Sequence, residues 1–362
     1  MNSPSLLLSF VERLMNKPAV AYHEHQVIAV VEAICQEHGL QCEADAIGNR
    51  IVTLRTNPQA PSVALVAHLD HPGFEAVRPM SETTWEARFL GGVAEAYFRP
   101  GIRLLAYPGG LPAVLGAKLG DELRFQVQFE VPPTTPPEFL VWDLPTCTVT
   151  PDRIEGRACD DLVGVATILA TLSELKRLNA SVNFKGLITR AEEVGFQGTL
   201  LLAESGWIPT DTTIISLETS RELPPVQMGN GVIVRVGDRS SIFDSRFTRF
   251  LCEAAADLQK RNPEFRFQRA LMGGGSCEAT AFQEYGYRCA ALCVALGNYH
   301  NSGSENRIAP EYVSVPDAHG MLELLVEIAH QMPQREALTG RLLVRLEKLA
   351  TEARSRLLSE CP

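Results

Sequence analysis

The chain has 362 residues, of which 45% are hydrophobic and 21% charged, with a formal net charge of -10; this is the composition of a globular protein with a sizeable core. It contains no lysine- or arginine-rich run, which excludes a nucleic-acid partner held by its phosphates, and no stretch reaches the ~18 apolar residues of a membrane span. The nine cysteines, Cys361 among them, have irregular spacings and form no CxxC pair. Neither a disulfide framework nor a thiolate zinc site is expected, and free thiols fit a reducing cytoplasm.

The opening segment MNSPSLLLSFVERLMNKPAV has a short apolar run with no basic leader, interrupted by Glu12 and Arg13. It reads as an amphipathic helix over 6–15 rather than a secretory signal. A second helix is expected over 23–38, where Val27, Val30, Val31, Ile34 and Cys35 share one face. Two strands follow, NRIVTLR at 49–55 and SVALVA at 62–67. The second is an unbroken apolar run, the pattern of a strand buried on both faces.

From Gly73 to Thr150 the pattern changes to short β-like segments such as TWEARFL, IRLLAYP and ELRFQVQFEV, punctuated by glycine and proline, including PPTTPP at 132–137. Closely spaced short strands with turn signals predict a small β-barrel or sandwich. After Arg157 strands and helices alternate. Helices are expected at 161–178, 198–205, 244–260, 278–285 and 316–330, and strands at 184–190, 213–217, 232–236, 265–268 and 289–295. Alternation of this kind predicts a sheet covered by helices on both faces. The β-rich block is therefore expected as an insertion. The division is 1–72 with 151–335 for the α/β domain, 73–150 for the inserted β domain, and 336–362 for a C-terminal helical extension rich in leucine and charge.

Five segments place metal-competent side chains at strand ends or helix starts, where open α/β sheets bind ligands. In AHLDHPG, His68 and Asp70 lie two apart after an apolar strand and so share a face; a carboxylate beside a ligating imidazole fixes its tautomer. In RACDDLVG, Asp160 and Asp161 precede a helix, and one carboxylate with two oxygens can bridge two cations. In TRAEEVGFQG, Glu192 and Glu193 end a strand and point to opposite sides, so that one can bind metal while the other faces water. Glu218 ends the strand of IISLETS, and His300 follows a strand in GNYHNSG. Each segment alone has a plain structural alternative: a polar turn, a helix N-cap or a solvated loop. Together they supply a carboxylate bridge and one histidine and one acid for each of two divalent ions, with zinc favoured and cobalt or manganese possible.

The order of these motifs, with GNRIVTL, EEVGFQG, the glycine-rich GGGSCEATAF and the β-rich block between the HxD and DD segments, resembles the tetrahedral-aminopeptidase (glutamyl-aminopeptidase) family of co-catalytic dinuclear metallopeptidases over about 5–335. The resemblance implies a three-layer α/β/α sandwich with an inserted β-barrel, peptide substrates cleaved at the N-terminal residue, and assembly as a homo-oligomer. It implies that Asp160 bridges two ions. His68 and Glu193 complete one ion, or share it in another arrangement of the same ligands, while Glu218 and His300 complete the second. It also implies that Glu192 is the general base and that Asp70 orients His68. The chain departs from the family's usual residues at His71, Leu162, Glu218 and Cys277-Glu278, and the helix over 336–358 has no obvious family counterpart.

Three other activities compete. A deacylase or carboxypeptidase would use the same metals on a different bond. A glycosidase would pair Glu192 with Glu218 but would leave His68 and His300 unused. A non-catalytic metal- or peptide-binding protein would have no need of a base at Glu192.

Overall fold

The computed structural model describes residues 5–359. The chain opens with α1 (Leu6–Met15) and α2 (His25–Glu37), then β1 (Gln41–Ala44), β2 (Arg50–Arg55) and β3 (Ser62–His68). Six strands follow: β4 (Gly73–Pro79), β5 (Thr84–Leu90), β6 (Arg103–Tyr107), β7 (Leu111–Lys118), β8 (Arg124–Phe129) and β9 (Phe139–Trp142). The chain then runs through β10 (Cys147–Val149), β11 (Arg153–Gly156), α3 (Cys159–Arg177), β12 (Asn183–Thr189), α4 (Gln197–Glu204), β13 (Thr213–Arg221) and β14 (Val232–Gly237). It ends with α5 (Ser245–Arg261), β15 (Phe267–Leu271), α6 (Glu278–Glu284), β16 (Arg288–Gly297), β17 (Glu311–Ser314), α7 (Val315–Gln331) and α8 (Arg335–Ser359).

Eleven strands form one sheet in the order β1-β2-β12-β3-β13-β16-β17-β11-β10, with β14 and β15 attached beside β16. Its centre is parallel: β3 pairs in parallel with β12 and β13, and β13 with β16. The run SVALVA explains the layering. Val63, Leu65 and Ala67 enter one core with α1, α3, α5 and α7, while Ala64 and Val66 enter another with α4 and α6. Alternate side chains of one strand thus feed both faces, as the two-residue period requires, and the result is an α/β/α sandwich.

The strands β4-β5-β8-β7-β6-β9 close into a barrel. Its interior is aromatic: Phe74 meets Phe89 and Trp142 edge-on, each at 5.0 Å between ring centroids, the geometry that ring quadrupoles favour. The short strand β10, within the span read as barrel, pairs with β11 on the large sheet instead. β13 runs on to Arg221, so Glu218 sits inside the strand rather than at its end.

α8 packs on α5 through its first turns, where Leu338 is buried and Arg341 bridges Glu253 and Asp257 at 3.2 and 2.9 Å. Beyond them Leu343, Leu346 and Leu349 are exposed. Among the described residues no helix is long and apolar enough to cross a membrane, and the eight described cysteines are all free. Cys361 lies outside the described residues.

Candidate metal centre

Four adjacent parallel strands, β12, β3, β13 and β16, bring one group of side chains to their C-terminal ends. His68 is the last residue of β3, Glu192 and Glu193 follow β12, Glu218 lies near the end of β13, and His300 follows β16. Asp160 joins them from the first turn of α3, linked to Asp161 by a cis peptide bond. All seven sequence-derived candidates except Asp70 line one cavity, together with Arg235, Tyr299 and the loop Gly274–Ser276.

Asp160 sits between the two histidines. Its Oδ1 lies 3.4 Å from His68 Nε2 and its Oδ2 lies 3.6 Å from His300 Nε2. Around it fall the groupings Asp160, Glu193, His300 and His68, Asp161, Glu218, each with donor atoms within 4.8 Å of one another. Glu193 Oε1 is 3.2 Å from His300 Nε2, so the geometry couples Glu193 to His300 and Glu218 to His68. This differs from the pairing of Glu218 with His300 drawn from the resemblance. His68, Glu192 and Glu193 form a further grouping within the same 4.8 Å.

Buried polar atoms normally have partners. Here Asp160 Oδ1, Asp161 Oδ2, Glu193 Oε1 and Glu218 Oε1 are buried with no hydrogen-bond partner. Like charges about 4 Å apart repel by about 4 kcal/mol at an effective dielectric of 20, so this many facing carboxylates require compensating cations or protons. The titration shifts express the same balance. Burial pushes Glu218 up to about 8, opposed by His68 and assisted by Asp160. Burial likewise raises Glu192 and Asp161 well above the usual carboxylate range. His68 and His300 are raised although burial alone would lower them, because the surrounding carboxylates favour the imidazolium. The orphaned oxygens and two imidazole nitrogens fit a pair of divalent cations.

The supporting contacts are as specific as the cluster. His68 Nδ1 lies 3.0 Å from the main-chain oxygen of Asp70 and 3.9 Å from its carboxylate. That carboxylate instead accepts the backbone N–H of Glu192 at 2.9 Å and of Glu193 at 3.1 Å. Asp70 therefore holds the Glu192–Glu193 loop, and its main chain, more closely than its side chain, orients His68. Buried Glu24 extends the clamp by accepting the N–H of Ala191 at 3.0 Å, a residue at a φ of 53° that needs such support.

His300 has a φ of 52° and stacks on Tyr299 with ring centroids 3.7 Å apart. Its Nδ1 faces the carbonyl oxygen of Gly92 from the barrel segment at 2.7 Å. Glu311 accepts the N–H of His300 at 2.8 Å and of Asp160 at 3.0 Å. His71 places one ring nitrogen 2.9 Å from the carbonyl of Asp160 and the other 2.9 Å from Asn301 Oδ1, so this departure supports the cluster from behind. Glu278 accepts from the hydroxyls of Thr189 and Thr199, and Leu162 is fully buried in the core. Sequence reasoning missed Glu24, Gly92 and Glu311, none of which lies in a segment bearing a metal-competent motif.

Residues 134–308 match the M42 glutamyl aminopeptidase family. Among solved structures, the TET1 peptidase of Pyrococcus horikoshii, which assembles into a tetrahedron or a large octahedral shell, superposes with a TM-score of 0.74 at 19% identity, over 89% of this chain and 99% of that one. The TET aminopeptidase of a marine-sediment Thaumarchaeota archaeon gives 0.76 at 17% identity, over 92% and 98%. An endoglucanase of Thermotoga maritima gives 0.68 at 16% identity, over 91% and 99%. With its sandwich-plus-barrel architecture the chain has the fold of the tetrahedral aminopeptidases, and its residues 134–308 resemble the M42 glutamyl aminopeptidase family.

Proposed function

We propose that the chain is a metal-dependent aminopeptidase that removes the N-terminal residue of peptides. The single observation that carries this reading is Asp160, whose two carboxylate oxygens face two different histidines at 3.4 and 3.6 Å among orphaned buried carboxylate oxygens. Asp160, Glu193 and His300 would hold one ion, and Asp160, His68 and Glu218 the other, with zinc favoured by the mix of imidazole and carboxylate donors and cobalt or manganese as alternatives. Bound there, two divalent ions supply Lewis acidity, lowering the pKa of water and polarising a carbonyl.

The chain's own residues do the rest. Glu192, raised by burial, takes the proton of the attacking water and returns it to the leaving amine. Asp70 and Glu24 hold the Glu192 loop through three successive amides, which keeps the base in reach of the scissile bond. The Thermotoga structure bears a glycosidase name on the same fold, but a two-carboxylate glycosidase has no use for the imidazoles interleaved with the acids here.

The test is a panel of amino-acid anilides, N-acyl amino acids and soluble cellulose, run with metal analysis before and after chelation. Anilide cleavage that EDTA abolishes and zinc restores is the expected result. Cleavage of N-acyl amino acids alone would make the protein a deacylase, and cellulose cleavage insensitive to EDTA would make it a glycosidase. We also propose a homo-oligomer, supported by the shells of the Pyrococcus relative and by the exposed leucines of α8, which a partner should cover. A clean monomer in sedimentation at micromolar concentration would refute it.

A further inference from the structure

α8 parts from the body of the protein after its first turns. Leu338 and Arg341 hold it against α5, but from Leu343 to Leu358 every described side chain is exposed. That segment is about 24 Å long at 1.5 Å per residue. A helix of this length with no packed face is marginal in water, so one side of it needs a cover.

The sequence says which side. Leu343, Leu346, Ala350, Ala353 and Leu357 recur at intervals of three and four. These are the a and d positions of a heptad, the seam of a two-stranded coil. The three leucines are 60%, 50% and 67% exposed. In the same frame Glu347 and Arg354 take the two e positions, and Leu342 and Leu349 take g.

Those flanking residues choose the occupant and its direction. In a parallel pair each e position faces a g position of the other helix, which would set Glu347 against leucine 342 and Arg354 against leucine 349. In an antiparallel pair e faces e. Glu347 then meets Arg354 of a second copy, and the two-fold axis repeats the contact in reverse. The same alignment stacks Leu346 on Leu357 at the two ends and Ala350 on Ala353 in the middle. The alanine layers let the helix axes approach at the near end of the usual ~8–10 Å. A helix lying on a membrane would carry its basic residues unopposed, whereas Glu347 and Glu352 are interspersed among Arg345, Lys348 and Arg354 here.

We propose that α8, beyond Arg341, is a docking surface for α8 of a second copy of this chain, paired antiparallel through Leu343, Leu346, Ala350, Ala353 and Leu357. This deepens the homo-oligomer reading, on which it rests, by naming the contact and its orientation. The contact uses the C-terminal extension alone and leaves the metal centre and the barrel untouched.

The experiment is sedimentation of the full chain over a range of concentrations. Leu346→Glu with Leu357→Glu puts four carboxylates into the seam of each pair. It should weaken the α8 contact about a hundredfold or more, reducing the assembly to half its mass or to monomer while anilide cleavage stays unchanged. A chain ending at Leu342 should behave the same way and serves if the acidic variant aggregates. Glu347→Arg and Arg354→Glu, each alone, turn two attractions into two repulsions and should weaken association by about tenfold; the two together should restore it. An assembly whose mass survives both the acidic variant and the truncation would overturn the α8 contact and leave the homo-oligomer reading standing. A wild-type monomer would overturn both, and its flotation with anionic phospholipid vesicles would make the face a membrane anchor instead. Charge variants whose effects add, with no restoration in the double variant, would overturn the antiparallel pairing.

Discussion

Asp160 and His300 are joined twice. Their side chains approach at 3.6 Å, Oδ2 to Nε2, and their backbone N–H groups, far apart in sequence, both donate to the carboxylate of Glu311 at 3.0 and 2.8 Å. Glu311 is fully buried, and it sets the spacing of the two main chains from which these side chains project.

Glu311→Gln should therefore weaken metal binding without unfolding the protein. The amide keeps one acceptor oxygen but turns an N–H donor toward the second backbone N–H, so one of the two tethers is lost. Outer contacts of this kind are worth about 10–100-fold in metal affinity. Competition with a zinc-selective chelator measures the change, and an unaltered zinc affinity would show that the tether is incidental.

Asp160→Ala should remove both ions, because its two oxygens face the two histidines separately. Elemental analysis should fall from about two metals per chain to none. Retention of one ion would mean that Asp161, grouped with His68 and Glu218, holds a site by itself.

The buried carboxylates make the metal-stripped protein sensitive to pH in a definite direction. Burial raises Glu218 to about 8 and Asp70 to about 7, against an unfolded value near ~4 for either type. The folded state therefore binds these protons more tightly than the unfolded chain, so the stability these two groups contribute is fullest below the unfolded value and is lost as pH rises toward about 8. The raised His68 and His300 act in the same direction, since they lose their protons, and the stability those protons give, on going upward. Divalent cations replace the protons. The difference in Tm between zinc-loaded and EDTA-treated protein should widen steadily from acid to mildly alkaline pH. A stripped protein whose Tm is flat or rising over that range contradicts the assignment of these groups as buried and uncompensated.

We propose that the barrel is an independent unit. Phe74 of β4 lies opposite Leu140 of β9, so the chain enters and leaves the barrel at neighbouring points, and a short glycine linker can replace the strands between. The excised protein should keep the far-ultraviolet dichroism of a folded α/β core. It should be inactive, because His300 loses the Gly92 carbonyl that faces its Nδ1. Failure to fold under all conditions would make the barrel part of the core.

The parts of this site that were legible in the sequence are those carried by one short segment each. An apolar strand followed by HxD, and a second followed by EE, put side chains at strand ends wherever the strands fall, so His68, Glu192 and Glu193 could be named before their neighbours were known. The pairing of Glu193 with His300 was not legible, because it depends on the strand order β12-β3-β13-β16 and on a loop in which Asn298, His300 and Asn301 all take left-handed backbone. Glu311 was invisible for a related reason. It lies on the four-residue β17, too short to show a period, beyond that same loop. The β10 boundary slipped because three residues of strand look alike on a barrel and on a sheet edge. The extension of β13 to Glu218 and beyond was hidden because polar residues at the end of a buried strand read as a turn, whereas here they line a cavity.

The sharpest division of labour lies between the adjacent Glu192 and Glu193. Asp70 holds both backbone amides, so the two side chains leave one rigid loop in different directions. Glu193 Oε1 comes to 3.2 Å from His300 Nε2 and is buried without a hydrogen-bond partner, the condition of a ligand. Glu192 approaches no nearer than 3.8 Å to His68 Nε2, and burial raises its pKa, which makes its carboxylate a stronger base. Glu192→Gln keeps size and polarity but removes the basic carboxylate. Metal content and fold should survive, kcat should fall by ~10²–10⁴, and KM should change little, since the lost interaction belongs to the transition state. Glu193→Gln should instead lower metal content, and added zinc should restore part of the activity. Metal analysis and steady-state kinetics on the two variants separate these outcomes, because if Glu192→Gln loses metal while Glu193→Gln retains it, ligand and base are exchanged and the proposed proton transfer belongs to Glu193.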